Sequence, residues 1–251
     1  MATFDQLVAE AVAAPIEGWD FGWLDGRATE ERPSWGYAGL VAERAADASR
    51  MLDIQSGGGE LLAGLPAFPQ LLVASEGWPP NLEVAAARLR PLGGQVVAAH
   101  DDRPALPFAD DSFDLITSRH PVTTWWDEIA RVMAPGGTYL SQEVGPHSLR
   151  ELREFFLGPQ PPGSRRDPDL ARRNAETAGL VVEDLQEARL CTTFDDVGAV
   201  VYFLRLVVWI VPGFTVERYR DRLRALHEEI GRNGQFRATA TRFLIRASKP
   251  G

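Results

Sequence analysis

The chain is short of nearly everything that marks a secreted or membrane protein. Its one cysteine, Cys191, has no partner for an internal disulfide. The N-terminus lacks a basic start followed by a long apolar core, so no secretory leader is expected. The longest apolar run, Val200 to Val211, is broken by Arg205 and falls short of the roughly 20 residues that span a bilayer. A cytoplasmic protein without a membrane partner is expected. Lysine is almost missing, Lys249 being the only one among 26 basic residues. The formal charge of -9 gives polyanions a repulsive average field, and Arg165-Arg166 and Arg172-Arg173 read as solvated helix faces. No nucleic-acid partner is expected.

What the chain does have is core material: 45% of its 251 residues are apolar and 24% are charged, the balance of a globular protein. The first forty residues carry a helical stretch, Phe4 to Ala13, and the aromatics Trp19, Phe21, Trp23, Trp35 and Tyr37. They read as an N-terminal helical cap (1–40) on a main domain (41–251). From Leu52 onward, short apolar runs alternate with helical patterns, the rhythm of βαβ units. Strands are expected at Met51–Ile54, Leu71–Ala74, Gln95–Ala99, Asp114–Ser118, Thr138–Gln142, Val181–Leu190 and Phe236–Ala247. Helices are expected at Asn81–Leu92, Asp195–Val211 and Thr215–Ile230, the last two forming a helical insertion (about 195–233) before the final strand. The fold class is therefore α/β, a doubly wound, mostly parallel seven-stranded sheet. The stretch Gly158-Pro159-Gln160-Pro161-Pro162-Gly163 reads as a turn-rich connection.

The most specific segment is Met51-Leu52-Asp53-Ile54-Gln55-Ser56-Gly57-Gly58-Gly59-Glu60, an apolar run that breaks into three glycines. Glycines at a strand's end let the main chain turn and let a polar ligand approach it without meeting a Cβ. The next apolar run, Leu71 to Ser75, ends in Glu76, an acid placed to take both hydroxyls of a ribose. A dinucleotide site would need Gly-x-Gly-x-x-Gly, and counted from Gly57 the last position is Leu62.

Two further motifs follow: Asp102-Arg103-Pro104-Ala105-Leu106-Pro107-Phe108 with Ser112-Phe113-Asp114, and Met133-Ala134-Pro135-Gly136-Gly137-Thr138. In this order the four motifs resemble the class I S-adenosylmethionine-dependent methyltransferases, a Rossmann-like fold, and in particular the type 11 group acting mainly on small molecules. The likeness is specific from about Leu52 to Glu143. It implies S-adenosylmethionine as methyl donor, S-adenosylhomocysteine as product, and a small-molecule acceptor. It further implies that Asp53, with Gln55, Ser56 and the Gly57 and Gly59 backbone, holds the methionine part, and that Glu76 holds the ribose. Asp102 and Arg103 would meet the adenine edge, Leu106 would pack on the base, and Gly77 and Trp78 would cover its other face. Tyr37 could fold over the cofactor, and Ser118 ends the strand that flanks the methyl group. Gln55 departs from the family pattern, which has glycine there.

Methyl transfer from a sulfonium needs mainly positioning. A base would help a phenol or amine acceptor, and His120 in Ser118-Arg119-His120-Pro121 stands ahead of His147 as the candidate. No carboxylate cluster for a metal is evident around Glu143 or Asp110-Asp111. Two other readings stay open: an RNA or protein methyltransferase, and a binding protein that keeps the fold without catalysis.

Overall fold

In a computed structural model the described residues are 2–16, 21–99, 105–161 and 166–251. They form two compact units, each assembled from three stretches of chain: residues 1–32, 147–163 and 189–241 in one, and 33–146, 164–188 and 242–251 in the other. The helices are α1 (Phe4–Ala13), α2 (Tyr37–Asp47), α3 (Glu60–Ala63), α4 (Pro79–Leu89), α5 (Trp126–Val132), α6 (Arg150–Leu157), α7 (Pro168–Thr177), α8 (Val197–Leu206) and α9 (Arg220–Asn233). The strands are β1 (Ala28–Glu30), β2 (Arg50–Ile54), β3 (Leu71–Glu76), β4 (Gln95–Ala98), β5 (Phe113–Arg119), β6 (Met133–Val144), β7 (Val181–Phe194) and β8 (Phe236–Ser248).

One sheet results, ordered β1-β7-β8-β6-β5-β2-β3-β4. It has eight strands where the sequence predicts seven. The addition is β1, which pairs antiparallel with Thr192–Phe194 of β7. Three residues are too few for an alternating pattern; backbone pairing and the Thr29 to Thr193 hydroxyl contact of 2.8 Å make the strand. β2 runs parallel to β3 and β5, β3 to β4, and β5 to β6, while β8 is antiparallel to β6. From β2 the chain builds outward to β3 and β4, then returns to the other side of β2 for β5 and β6. The order therefore reverses beside β2, and in such sheets ligands bind off the carboxyl ends of the strands at that reversal.

Strand periodicity explains why the sheet is buried on both faces. Met51, Leu72, Leu115, Leu140 and Leu244 join one core cluster with Val41 and Ala45 of α2 and Leu89 of α4. Their neighbours Leu52, Val73, Ile116, Tyr139 and Phe243 join a second with Trp126 and Ile129 of α5 and Ala175 of α7. In the other unit, α1 and α8 meet at Gly198, where a Cβ would lie 2.7 Å from the Leu7 carbonyl oxygen. Arg205, the charge that breaks the apolar run, donates to the Ala14 carbonyl at 3.0 Å and to that of Ala11, capping the end of α1.

Candidate active site

Four strand ends converge at the reversal. Asp53, at the end of β2, is 3% exposed and takes a 2.5 Å hydrogen bond from Thr117 Oγ1 of β5. Burial pushes its carboxyl up from 3.8 to about 6, against the opposing effect of the Thr117 and Ser56 hydrogen bonds. Ser56 Oγ donates to the Asp53 carbonyl at 2.9 Å, closing the turn. Gly57 and Gly59 follow with φ of 61° and 78°, the left-handed geometry that favours glycine. Arg88 of α4 donates to the Gly58 carbonyl and to Glu60 Oε1, which ties the loop to the helix behind it.

Gln55 adopts φ 58°, so the position keeps the glycine-like turn although its residue is not glycine. Its side chain is turned to the loop after β5, where Oε1 accepts from the Val122 N–H at 2.5 Å and Nε2 donates to the Thr123 carbonyl at 2.8 Å. Left-handed geometry costs a residue with a Cβ roughly 1–2 kcal/mol, and two hydrogen bonds of about 1 kcal/mol each offset it.

Glu76 ends β3. Its carboxylate accepts from the N–H groups of Gly57 at 2.7 Å, Gly77 at 2.9 Å and Trp78 at 2.8 Å. The acid therefore joins the glycine loop to the start of α4 and is held in one orientation at the carboxyl end of β3. Trp78, 44% exposed, stands beside it. Leu106 is buried against Ile54 and Ala99. A clamp that the sequence reading missed holds it there: Glu128 accepts from the Leu106 N–H at 2.7 Å, and Arg131 grips Glu128 through Nε and Nη2, both at 2.7 Å. Arg131 also donates to the carbonyls of Leu106 at 3.0 Å and Phe108 at 2.8 Å. Asp102 and Arg103 lie outside the described residues.

Tyr37 and Ser118 are both buried. The Tyr37 hydroxyl donates to the carbonyl of Ser118 at 2.7 Å, and burial pushes its pKa well up. Ser118 Oγ shares hydrogen bonds with the Tyr139 hydroxyl and Ser141 Oγ, both at 2.9 Å.

His120 follows β5 with φ 57°, its N–H held by the Gln142 carbonyl at 2.7 Å. A chain of hydrogen bonds sets its tautomer. The indole of Trp35 can only donate, and Trp35 Nε1 lies 2.8 Å from Gln142 Oε1. The Gln142 amide nitrogen must then donate to His120 Nε2, 3.0 Å away, which leaves the ring proton on Nδ1. Burial, with help from Arg242, Arg119 and Arg166, lowers the His120 pKa to about 3, so the ring is neutral at physiological pH. Across the strand, Glu143 accepts from Thr124 Oγ1 at 2.9 Å, and burial raises its pKa.

Among the described residues no group of three or more His, Cys, Asp or Glu could hold a metal ion, and no helix is long and apolar enough to cross a membrane. The donor set suits an adenosine-type ligand: main-chain amides at positive-φ glycines, a fixed acid at the second strand end, and an exposed indole beside it.

Comparison with known proteins bears on the chemistry. Residues 52–141 match the family described as a methyltransferase domain. No curated protein sequence matches the chain. Among solved structures, the YcgJ protein of Bacillus subtilis is 19% identical with a TM-score of 0.61, over 86% of this chain and 98% of that one. A phosphoethanolamine N-methyltransferase of Haemonchus contortus, solved with phosphomonomethylethanolamine and S-adenosylhomocysteine, is 16% identical with a TM-score of 0.52, over 87% and 54%. The [4+2]-cyclase SpnF is 17% identical with a TM-score of 0.53, over 97% and 93%. The resemblance carried by the four motifs agrees with these matches: residues 52–141 match a methyltransferase domain, and the solved structures share the α/β fold of this chain.

Proposed function

We propose that this chain transfers a methyl group from S-adenosylmethionine to an O, N or C atom of a small molecule, releasing S-adenosylhomocysteine, in the cytoplasm. One observation carries the reading: the Glu76 carboxylate, fixed by Gly57, Gly77 and Trp78 at the carboxyl ends of β2 and β3, in a chain whose middle matches a methyltransferase domain. Bound there, the donor supplies a sulfonium methyl that is already electrophilic.

The residues divide the work by position. Glu76 takes the ribose hydroxyls, Trp78 and Gly77 lie over one face of the base, and Leu106 lies under the other. The resemblance adds Asp102 and Arg103 at the base edge. Asp53, with the Gln55, Ser56, Gly57 and Gly59 turn, receives the methionine ammonium and carboxylate. Tyr37 and Ser118 act from behind, fixing the end of β5. His120 then faces the acceptor as a neutral ring with its proton on Nδ1, suited to donate a hydrogen bond. Its Nε2 lone pair is already taken by Gln142.

The fold alone does not choose the reaction, since SpnF shares it and is a cyclase. The test is calorimetric titration with S-adenosylhomocysteine, followed by turnover of methyl-labelled S-adenosylmethionine against a panel of small acceptors. Donor binding that is lost in Glu76→Ala, with label in a small acceptor, is the expected result. A protein that binds neither donor nor product sinks the proposal, and label entering RNA or protein instead would move the acceptor to that class.

A further inference from the structure

The segment ahead of α2 is tied across β5 and β6 by side chains. Trp35 and Tyr37 flank Gly36, whose φ of 61° turns the chain into the helix. From that turn the Tyr37 hydroxyl reaches the carbonyls of Ser118 at 2.7 Å and Leu140 at 3.2 Å, which pins the segment over both strands. Trp35 Nε1, on the same segment, donates to Gln142 Oε1 at 2.8 Å. Gln142, 4% exposed, holds His120 twice: its carbonyl accepts from the His120 N–H at 2.7 Å, and its amide nitrogen meets the ring at 3.0 Å. His120 sits at φ 57°, a strained geometry for a residue with a Cβ that glycine would take freely. Such outliers gather where function needs a side chain in one place. Nδ1 of the ring, by contrast, meets no described residue, and it is not among the buried polar atoms left without a partner, so it opens to solvent.

We propose that Trp35 and Gln142 are positioning residues for methyl transfer, together presenting the Nδ1–H of His120 to a carbonyl oxygen of the acceptor beside the atom that is methylated. The inference deepens the methyltransferase reading and rests on it for the place of the acceptor. A glutamine amide on its own can turn over and exchange its donor for its acceptor. The indole removes that freedom, because a turned amide would set its nitrogen against the Trp35 N–H, two donors face to face. With Nε2 receiving the amide proton, the ring has no lone pair left to take a proton from the acceptor. An ammonium facing Nδ1–H would again set donor against donor, whereas a carbonyl oxygen completes the chain.

Nuclear magnetic resonance of protein carrying nitrogen-15 in its histidine rings reads the tautomer directly, the His120 signals being assigned by their loss in His120→Gln. At neutral pH the wild-type ring should carry its proton on Nδ1 and leave Nε2 bare, with and without S-adenosylhomocysteine. Gln142→Glu puts an acceptor where the amide donates and should move the proton to Nε2; Trp35→Phe frees the amide to turn and should yield both forms. In the methyl-label assay Gln142→Glu should lower kcat about tenfold, the scale of one lost hydrogen bond, with KM for the donor unchanged. Wild-type protein should label ortho-hydroxyacetophenone faster than ortho-ethylphenol, which lacks the carbonyl. A wild-type ring protonated on Nε2, or a tautomer indifferent to both substitutions, overturns the positioning role, and equal labelling of the two phenols overturns the carbonyl. The wild-type spectrum decides even where a variant does not fold. Failure of the donor reading shows separately, as no S-adenosylhomocysteine binding, while the tautomer stays readable.

Discussion

Gln55 shows how one residue can satisfy two opposed demands. Its backbone is where the family places glycine, and its side chain joins the glycine loop to the loop after β5. Gln55→Gly removes the strain and the bonds together, so its stability should stay within about 1 kcal/mol of wild type. Gln55→Ala keeps the strain and loses the bonds, and should fall about 1–2 kcal/mol below the glycine variant in urea unfolding. An alanine variant as stable as the glycine one would show that the turn is not strained. Asp53 carries a different tension. Its pKa is raised from 3.8 to about 6, so the fold binds a proton that the unfolded chain releases in that window. Its stabilising proton is fully present below pH 3.8, and stability from this group falls as pH rises towards about 6. Asp53→Asn should therefore gain up to about 3 kcal/mol at pH 7 to 8, from about 1.4 kcal/mol per unit, while losing most of its donor affinity. In the wild type that affinity should drop as pH falls below about 6, because the ammonium needs the ionised acid. For His120, held neutral down to about pH 3, the pH profile of kcat should show no limb of its own near neutrality; a histidine-like limb abolished by His120→Gln would refute the neutral-donor role.

Elements with a long pattern of their own are legible from sequence; those made by distant partners are not. α1 can be read to the residue, because Thr3 and Gln6 close a capping box ahead of an apolar stripe. The parallel strands show as short apolar runs ending in chemistry-bearing residues, and Asp53 and Glu76 fall where the motifs place them. By contrast, β6 starts at Met133, five residues ahead of the expected Thr138, since Pro135-Gly136-Gly137 reads as a turn although Met133 pairs with Phe113. The Trp35, Gln142 and His120 chain joins residues 107 positions apart, and no local pattern announces it. The Glu128 and Arg131 clamp left a fainter trace, an acid and an arginine three apart on one helix. Its geometry is a two-pronged fork, which lysine cannot reproduce. Arg131→Lys should lower stability by about 1–3 kcal/mol and weaken donor binding through Leu106, whereas wild-type behaviour in both assays would dismiss the clamp. Gly198→Ala tests the other unit: its Cβ meets a backbone oxygen at 2.7 Å, and thermal unfolding should show a loss of about 1–3 kcal/mol.

At the scale of the molecule, the site depends on segments that the sequence keeps far apart, with neither unit formed from a single stretch of chain. The order of the sheet sharpens this. β8 is the final strand in the sequence, yet it sits between β7 and β6. During synthesis, the first seven strands can emerge while the flank of β6 stays an open edge, ready to pair wrongly with another nascent chain. Ribosomes stalled before residue 236 should therefore carry a chain that is easily degraded and prone to clump, and release of a chain that includes β8, Phe236–Ser248, should bring protease resistance in one step.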